Sequence, residues 1–176
     1  MTRDQLEHCI RAAATIADDD ELIVLGSQAI LGRYPGAPRA LLASMEVDLY
    51  PKNHPERADL IDGTIGELSP FHDLWGYYAQ GVGPETAVLA PGWEARLVPV
   101  QGPGTRQATG WCLEPNDLVV AKLVAGRDKD FDYARVALQH GLVRVRMLRE
   151  RVSALPVSEA VRGLVLTRLN RVTQAL

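Results

Sequence analysis

Residues 21–51 read ELIVLGSQAILGRYPGAPRALLASMEVDLYP, and the reading of this stretch decides the fold. Leu22 to Leu25 is a short, wholly apolar run that suits a strand covered on both faces. Gly26-Ser27 then turns the chain into a helix over about Gln28 to Leu31. A Pro/Gly loop from Arg33 to Arg39 leads on to a second strand, Met45 to Tyr50, which Pro51 ends. That second strand carries Glu46 and Asp48 in alternation. Side chains two apart on a strand share a face, so the two acids point one way and Val47 the other. Neighbouring carboxylates repel unless positive charge lies between them, and a divalent metal is the usual answer. Gly26-Ser27 adds an anion site to this picture. A glycine lets the backbone approach a ligand, and a serine at a helix start sits where N–H groups and the helix dipole favour phosphate.

Outward from this stretch, residues 2–17 form an amphipathic helix. Thr2 is placed to cap it, and Leu6, Ile10, Ala13 and Ile16 or Ala17 recur at helical spacing. Asp18-Asp19-Asp20 stops the helix and reads as a solvent-facing linker. Downstream, residues 55–66 have helical character. Phe71 to Gly76 leads to a short strand or turn, Tyr77 to Gln80, framing an aromatic cluster that reads as core. Ala87 to Ala90 and Glu94 to Val100 are strand candidates joined by the turn Pro91-Gly92. Residues 101–110 form a flexible connector, and Trp111 to Leu113 a short extended lead-in. A helix from about Leu118 to Ala125 is capped by Asn116 or Asp117. Its one charged residue on an otherwise apolar side is Lys122, which either snorkels to solvent or meets an acidic or phosphate partner. Lys129 to His140 is the next helix, ended by Gly141. Two more helices, 144–154 and 158–175, follow, with Val161, Val165, Leu169 and Val172 as the inward stripe of the second. The expected organisation is one unit: a domain over 1–142 and a C-terminal helical segment, 143–176, packed on it.

Composition sets the outer bounds. The 176 residues suffice for one full core, and the charged content of 23% with a mean hydropathy of -0.06 is that of an ordinary globular chain. No apolar run reaches the length of a spanning helix and the N-terminus lacks a signal peptide's apolar region, so a cytoplasmic location with no membrane contact is expected. Cys9 and Cys112 lie far apart without metal-ligand spacing and read as buried free thiols. Between Arg144 and Arg171 stand seven arginines against two acids. They either contact phosphates or pair with acids elsewhere in a molecule whose net charge is -3.

A hydrophobic strand, Gly26-Ser27, a helix and a strand bearing Glu46-x-Asp48 together resemble the motif of the DNA-polymerase-beta-type nucleotidyltransferase superfamily. Eighteen residues separate Ser27 from Glu46, a long gap similar to that of AbiEii-like and related uncharacterised bacterial nucleotidyltransferase-like families. The run Lys122-Leu123-x-Ala125-Gly126-Arg127-Asp128-Lys129-Asp130 is similar to the K-L-x-A-x-R-x-K-D block of that group. The resemblance implies an α/β (α+β) fold, a small mixed sheet packed by helices with a helical C-terminal part. It further implies metal-dependent transfer of a nucleoside monophosphate from an NTP to a hydroxyl acceptor, on an RNA end, a protein partner or a small molecule, in a toxin–antitoxin or defence setting. In the implied site Glu46 and Asp48 hold Mg²⁺ or Mn²⁺, Lys122 orients a phosphate, and Gly26, Ser27, Lys129 and Asp130 contact the nucleotide. The chain departs from the pattern at the third carboxylate, which catalytic members carry on a later strand. Only Glu94 stands near that place, before the apolar Leu97 to Val100. A non-catalytic relative that keeps the fold to bind a nucleotide, RNA or protein is the alternative.

Overall fold

The computed structural model describes residues 1–174. Helix α1 (Arg3–Ala17) begins at Thr2, whose hydroxyl accepts from the Gln5 N–H while the Gln5 side chain accepts from the Thr2 N–H, a reciprocal capping box. Leu6, Cys9, Ile10, Ala13 and Ala17 form its buried stripe. The chain then runs into β1 (Glu21–Val24), a turn with a short helix α2 (Ile30–Arg33), and β2 (Glu46–Pro51). Next come α3 (Ala58–Ile65), α4 (Pro70–Trp75), β3 (Tyr78–Gly81), β4 (Val98–Val100) and β5 (Thr109–Cys112). Four helices finish it: α5 (Pro115–Ala125), α6 (Asp128–Gln139), α7 (Val145–Ser153) and α8 (Glu159–Gln174).

The strands form one mixed sheet in the order β3-β2-β1-β5-β4. β1 lies antiparallel to β2 and parallel to β5, β2 is parallel to β3, and β4 is antiparallel to β5. This is the α/β (α+β) architecture expected. One face of the sheet, with Leu22, Val24, Val47 and Leu49, is fully buried, and α1 and α3 pack against the sheet. Alternation sends Glu46 and Asp48 to the other face. Helices α7 and α8 pack on α5 and α6, so the C-terminal segment is joined to the wall that carries Lys122. Cys9 and Cys112 are buried free thiols.

Several local expectations give way to long-range packing. Asp19 is buried: its carboxylate accepts from the N–H groups of Glu21, Asn53 and His54 and from the Asn53 amide, tying the start of β1 to the end of β2. Residues 87–90 form no strand. They are apolar because they pack on the core, with Ala90 buried, and no neighbouring strand edge pairs with them. Glu94–Arg96 is a 3-10 turn, which leaves β4 only three residues long. Residues 70–75 are a helix, N-capped by Ser69, rather than an irregular lead-in. Helix α5 begins three residues early, at Pro115, with Glu114 as its cap, its carboxylate accepting from the N–H groups of Asn116 and Asp117. Asp117 is thereby free to turn inward and bind Arg96 at 2.7 and 2.9 Å and Arg151 at 3.3 Å. On α8 the inward stripe is Val165, Leu169 and Val172, while Val161, in the first turn of the helix, is 38% exposed. The expected last residue of that helix, Ala175, lies outside the described residues. The arginine-rich segment is largely spoken for: Arg146 pairs with Glu150, Arg151 with Asp117, and Arg162 and Arg168 donate to backbone carbonyls.

Candidate functional site

A cavity of about 470 Å³ opens where the C-terminal end of β1 meets the start of β2, within the range usual for small-molecule sites, about 300–1,000 Å³. Gly26, Ser27, Glu46, Asp48, Lys122 and Lys129 all line it. The join between the turn and the acids depends on a missing side chain. Gly26 has φ +49°, and a Cβ there would collide with the Asp48 carboxylate. The Leu25 N–H donates to the Asp48 carbonyl at 2.9 Å, which pins the turn to β2 at the acid itself.

One wall is acidic. Asp48 is pushed up to about 7, first by burial and then by the neighbouring Glu46 carboxylate, with Lys122 and Arg127 pulling the other way. Glu46 accepts from the Tyr78 hydroxyl at 3.1 Å, and burial together with that carboxylate pushes the phenol up to about 12. His72 lies on the Tyr78 ring at 4.6 Å. Tyr78 thus departs from the core reading given to its cluster: it reaches the edge of the site, while Tyr77 packs with His8, Phe71 and Trp75.

The opposite wall is cationic. Lys122, on α5, is buried; its Nζ donates to Ser27 Oγ at 2.9 Å and to Asp130 Oδ1 at 3.4 Å, and stands 4.5 Å from the centre of the Tyr133 ring. Burial lowers its pKa, against the pull of Asp130. Tyr133 donates its hydroxyl to the Ser27 carbonyl at 2.8 Å, so α5 and α6 both grip the Gly-Ser turn. Asp130 is fully buried and stands behind the wall, outside the cavity lining. It accepts from Lys122 and, at 2.8 and 3.3 Å, from the Arg127 guanidinium. Burial would raise the Asp130 carboxyl, but Arg127 and Lys122 hold it below its ordinary value. Arg127 itself lines the cavity; in the sequence it stands only as one position of the Lys122–Asp130 run, and its i,i+3 pairing with Asp130 is local. Ser44 is a second lining residue that sequence reasoning passed over; its hydroxyl accepts from the Glu46 N–H, and its carbonyl from the buried Gln28 amide.

The strand beside the acids is β3. Tyr78 sits in register with Glu46 and Gln80 with Asp48, so a tyrosine and a glutamine occupy the neighbouring places on the acid-bearing face. Glu94, the one sequence candidate for a third acid, lines a different cavity. Among the described residues no group of three or more His, Cys, Asp or Glu gathers to hold a metal ion. Two carboxylates are nevertheless a donor set suited to Mg²⁺, which binds through one or two carboxylates with substrate phosphates and water completing its shell. Burial first and the Glu46 carboxylate second raise Asp48, and a cation held between the two acids would oppose both.

Over residues 4–160 the chain matches the model of a family described as nucleotidyltransferase of unknown function (DUF6036). The chain belongs to this nucleotidyltransferase family. No curated protein and no solved structure matches it significantly. The matched span takes in every residue named on the cavity wall, from Gly26 to Tyr133. Membership in a nucleotidyltransferase family makes a nucleotide the expected ligand of such a wall. Among the described residues no helix is long and apolar enough to cross a membrane.

Proposed function

We propose that this family member is a metal-dependent nucleotidyltransferase of the DNA-polymerase-beta type, AbiEii-like in layout, which transfers a nucleoside monophosphate from an NTP to a hydroxyl acceptor. The observation that carries the reading is the contact of Gly26 with Asp48, which puts a phosphate-suited turn, a carboxylate pair and a buried lysine on one cavity. The Gly26-Ser27 backbone and the cations Lys122, Arg127 and Lys129 receive the triphosphate. Glu46 and Asp48 would hold Mg²⁺ or Mn²⁺ together with phosphate oxygens, and the ion, when bound, supplies neutralisation of charge on the reacting phosphates. Tyr78 fixes the Glu46 carboxylate, and Asp130 keeps Lys122 and Arg127 aimed at the cavity while staying off its wall. In the transfer the acceptor hydroxyl gives up its proton to solvent, its oxygen bonds to the α-phosphorus as the α–β bridging bond breaks, and pyrophosphate leaves. For the acceptor we take the hydroxyl of an RNA end, a protein or a small molecule, the first two in keeping with a toxin–antitoxin or defence role.

The test is incubation with each labelled NTP, Mg²⁺ or Mn²⁺ and total RNA or candidate proteins, comparing wild type with Glu46→Ala/Asp48→Ala. Label incorporation with pyrophosphate release by wild type alone is the expected result. Equal incorporation by both proteins, or none by either across conditions, overturns the catalytic assignment. A second reading, a non-catalytic nucleotide-binding relative, draws on the neutral Tyr78 and Gln80 beside the acids. It predicts that wild type binds NTP tightly and incorporates none.

A further inference from the structure

The face that carries Glu46 and Asp48 continues beyond them. Two residues further along β2, Tyr50 takes up the same face in register with Ile23, which is in turn in register with Trp111 on β5. There a second cavity of about 380 Å³ opens, lined by Tyr50, Trp111 and Trp93, with Glu94 and Lys52 at its edge. None of these five side chains lines the cavity around Asp48. The aromatic surface already holds one ammonium: Lys52 Nζ lies 5.2 Å from the centre of the Trp111 ring and donates to Glu21 at 2.8 Å. The Trp111 indole N–H donates to the other Glu21 oxygen at 3.1 Å, which fixes ring and carboxylate together. A positive group over an aromatic face with a carboxylate beside it is the arrangement that recognises organic cations. Glu94 supplies a further carboxylate. Among the described residues no cation pairs with it, Arg96 being engaged by Asp117. Glu94 lines the same cavity as Tyr50, Trp93 and Trp111.

We propose that this second cavity binds a primary alkylamine, its ammonium held between Glu94 and the aromatic faces and its chain against the apolar floor, displacing Lys52 from Trp111. The chemistry excludes the other simple ligand classes. Phosphate and carboxylate ligands meet Glu94 on the lining, where the one cation, Lys52, is already engaged by Glu21, and a bare metal ion finds rings where it needs several oxygen ligands. A neutral apolar ligand gains nothing from the carboxylates. Lys52 acts as an internal competitor, so removing its charge frees the ring for the ligand. The site stands on its own geometry and does not depend on nucleotidyl transfer in the neighbouring cavity.

The experiment is an NMR titration of the indole N–H resonances with n-pentylammonium at matched ionic strength, with 1-pentanol as the neutral control. The expected result is a saturable shift of Trp93 and Trp111 with n-pentylammonium, and binding of 1-pentanol weaker by about tenfold or more. Glu94→Gln, at an exposed position, weakens n-pentylammonium by about threefold, and Lys52→Met tightens it by about threefold or more. Glu46→Ala/Asp48→Ala leaves it unchanged, which separates this site from the acid pair. Equal response to the amine and the alcohol overturns the proposal. So does absence of any shift, unchanged or weaker binding in Lys52→Met, or loss of binding in Glu46→Ala/Asp48→Ala.

Discussion

Asp19, buried, and Asp48, half-buried on the cavity wall, are carboxylates at opposite ends of the β1–β2 pair, and the protein treats them in opposite ways. Around Asp19 the chain supplies three backbone N–H donors and an amide, and these outweigh burial and lower its pKa. Around Asp48 it supplies a second carboxylate and no compensating donor of that kind, and the pKa rises to about 7. The first arrangement is complete in itself and serves the fold. On the function proposed above, the second is completed by a bound cation, which is how a binding site differs from a structural joint.

The sharpest way to break the comparison is Glu46→Ala/Asp48→Ala, which should lower nucleotide incorporation by about a hundredfold or more while leaving the fold intact. Labelled-NTP incorporation alongside circular dichroism checks it. Gly26→Ala should come next: the new methyl group collides with Asp48 and the residue keeps a positive φ, at a cost of about 2–4 kcal/mol in urea unfolding. Asp19→Ala should cost about 2–3 kcal/mol by orphaning its donors. The Asp19 contribution has a definite sign. Its folded pKa lies below the ordinary 3.8, so the stabilisation is present above 3.8 and is lost as pH falls through the folded value. Wild type and Asp19→Ala should therefore converge in the acid limb of a stability profile.

Asp48→Asn should do the reverse and stabilise the protein, by up to about 4 kcal/mol at pH 8, at about 1.4 kcal/mol for each unit of the shift. A folded pKa of about 7 against an ordinary 3.8 means that wild-type stability is fullest below 3.8 and declines as pH rises towards 7. The gap between the two proteins should open across that interval and level off above it; equal profiles at all pH values would remove Asp48 from its role as a strained acid. The smallest effect belongs to Tyr78→Phe, which removes one hydrogen bond to Glu46 and should weaken Mn²⁺ binding by severalfold in a titration with NTP present.

The half of the site that depends on local order was legible in the sequence. An apolar run, Gly26-Ser27 and the Glu46-x-Asp48 alternation fix a strand, a turn and a shared face within a few residues of one another. What could not be read is which strand lies beside the acids. That neighbour is β3, so Tyr78 and Gln80 flank Glu46 and Asp48, whereas 94–100 lies towards the far edge of the sheet. Helix α4 buries none of its residues and so carries no apolar period to detect. Asp19 looked like linker because its donors at 53 and 54 come from the far end of β2. Lys122 was visible as a charge on an apolar helix face, but its partners, Ser27 and Asp130, are set by how α5 and α6 meet the turn.

Arg168, on α8, gives the cation-bearing wall a dependence that its own residues do not reveal. Its guanidinium donates to the carbonyls of Leu123 and Val124, at the end of α5 just past Lys122, and occupies the space that a side chain on Gly126 would need. Those carbonyls belong to the last turn, where no intrahelical N–H remains to serve them, and a cation there also suits the helix dipole. The family match ends at residue 160, so this fastening comes from outside it. A chain shortened after residue 160 would keep Lys122, Arg127 and Lys129 in its sequence while leaving the helix end that aims them unlatched.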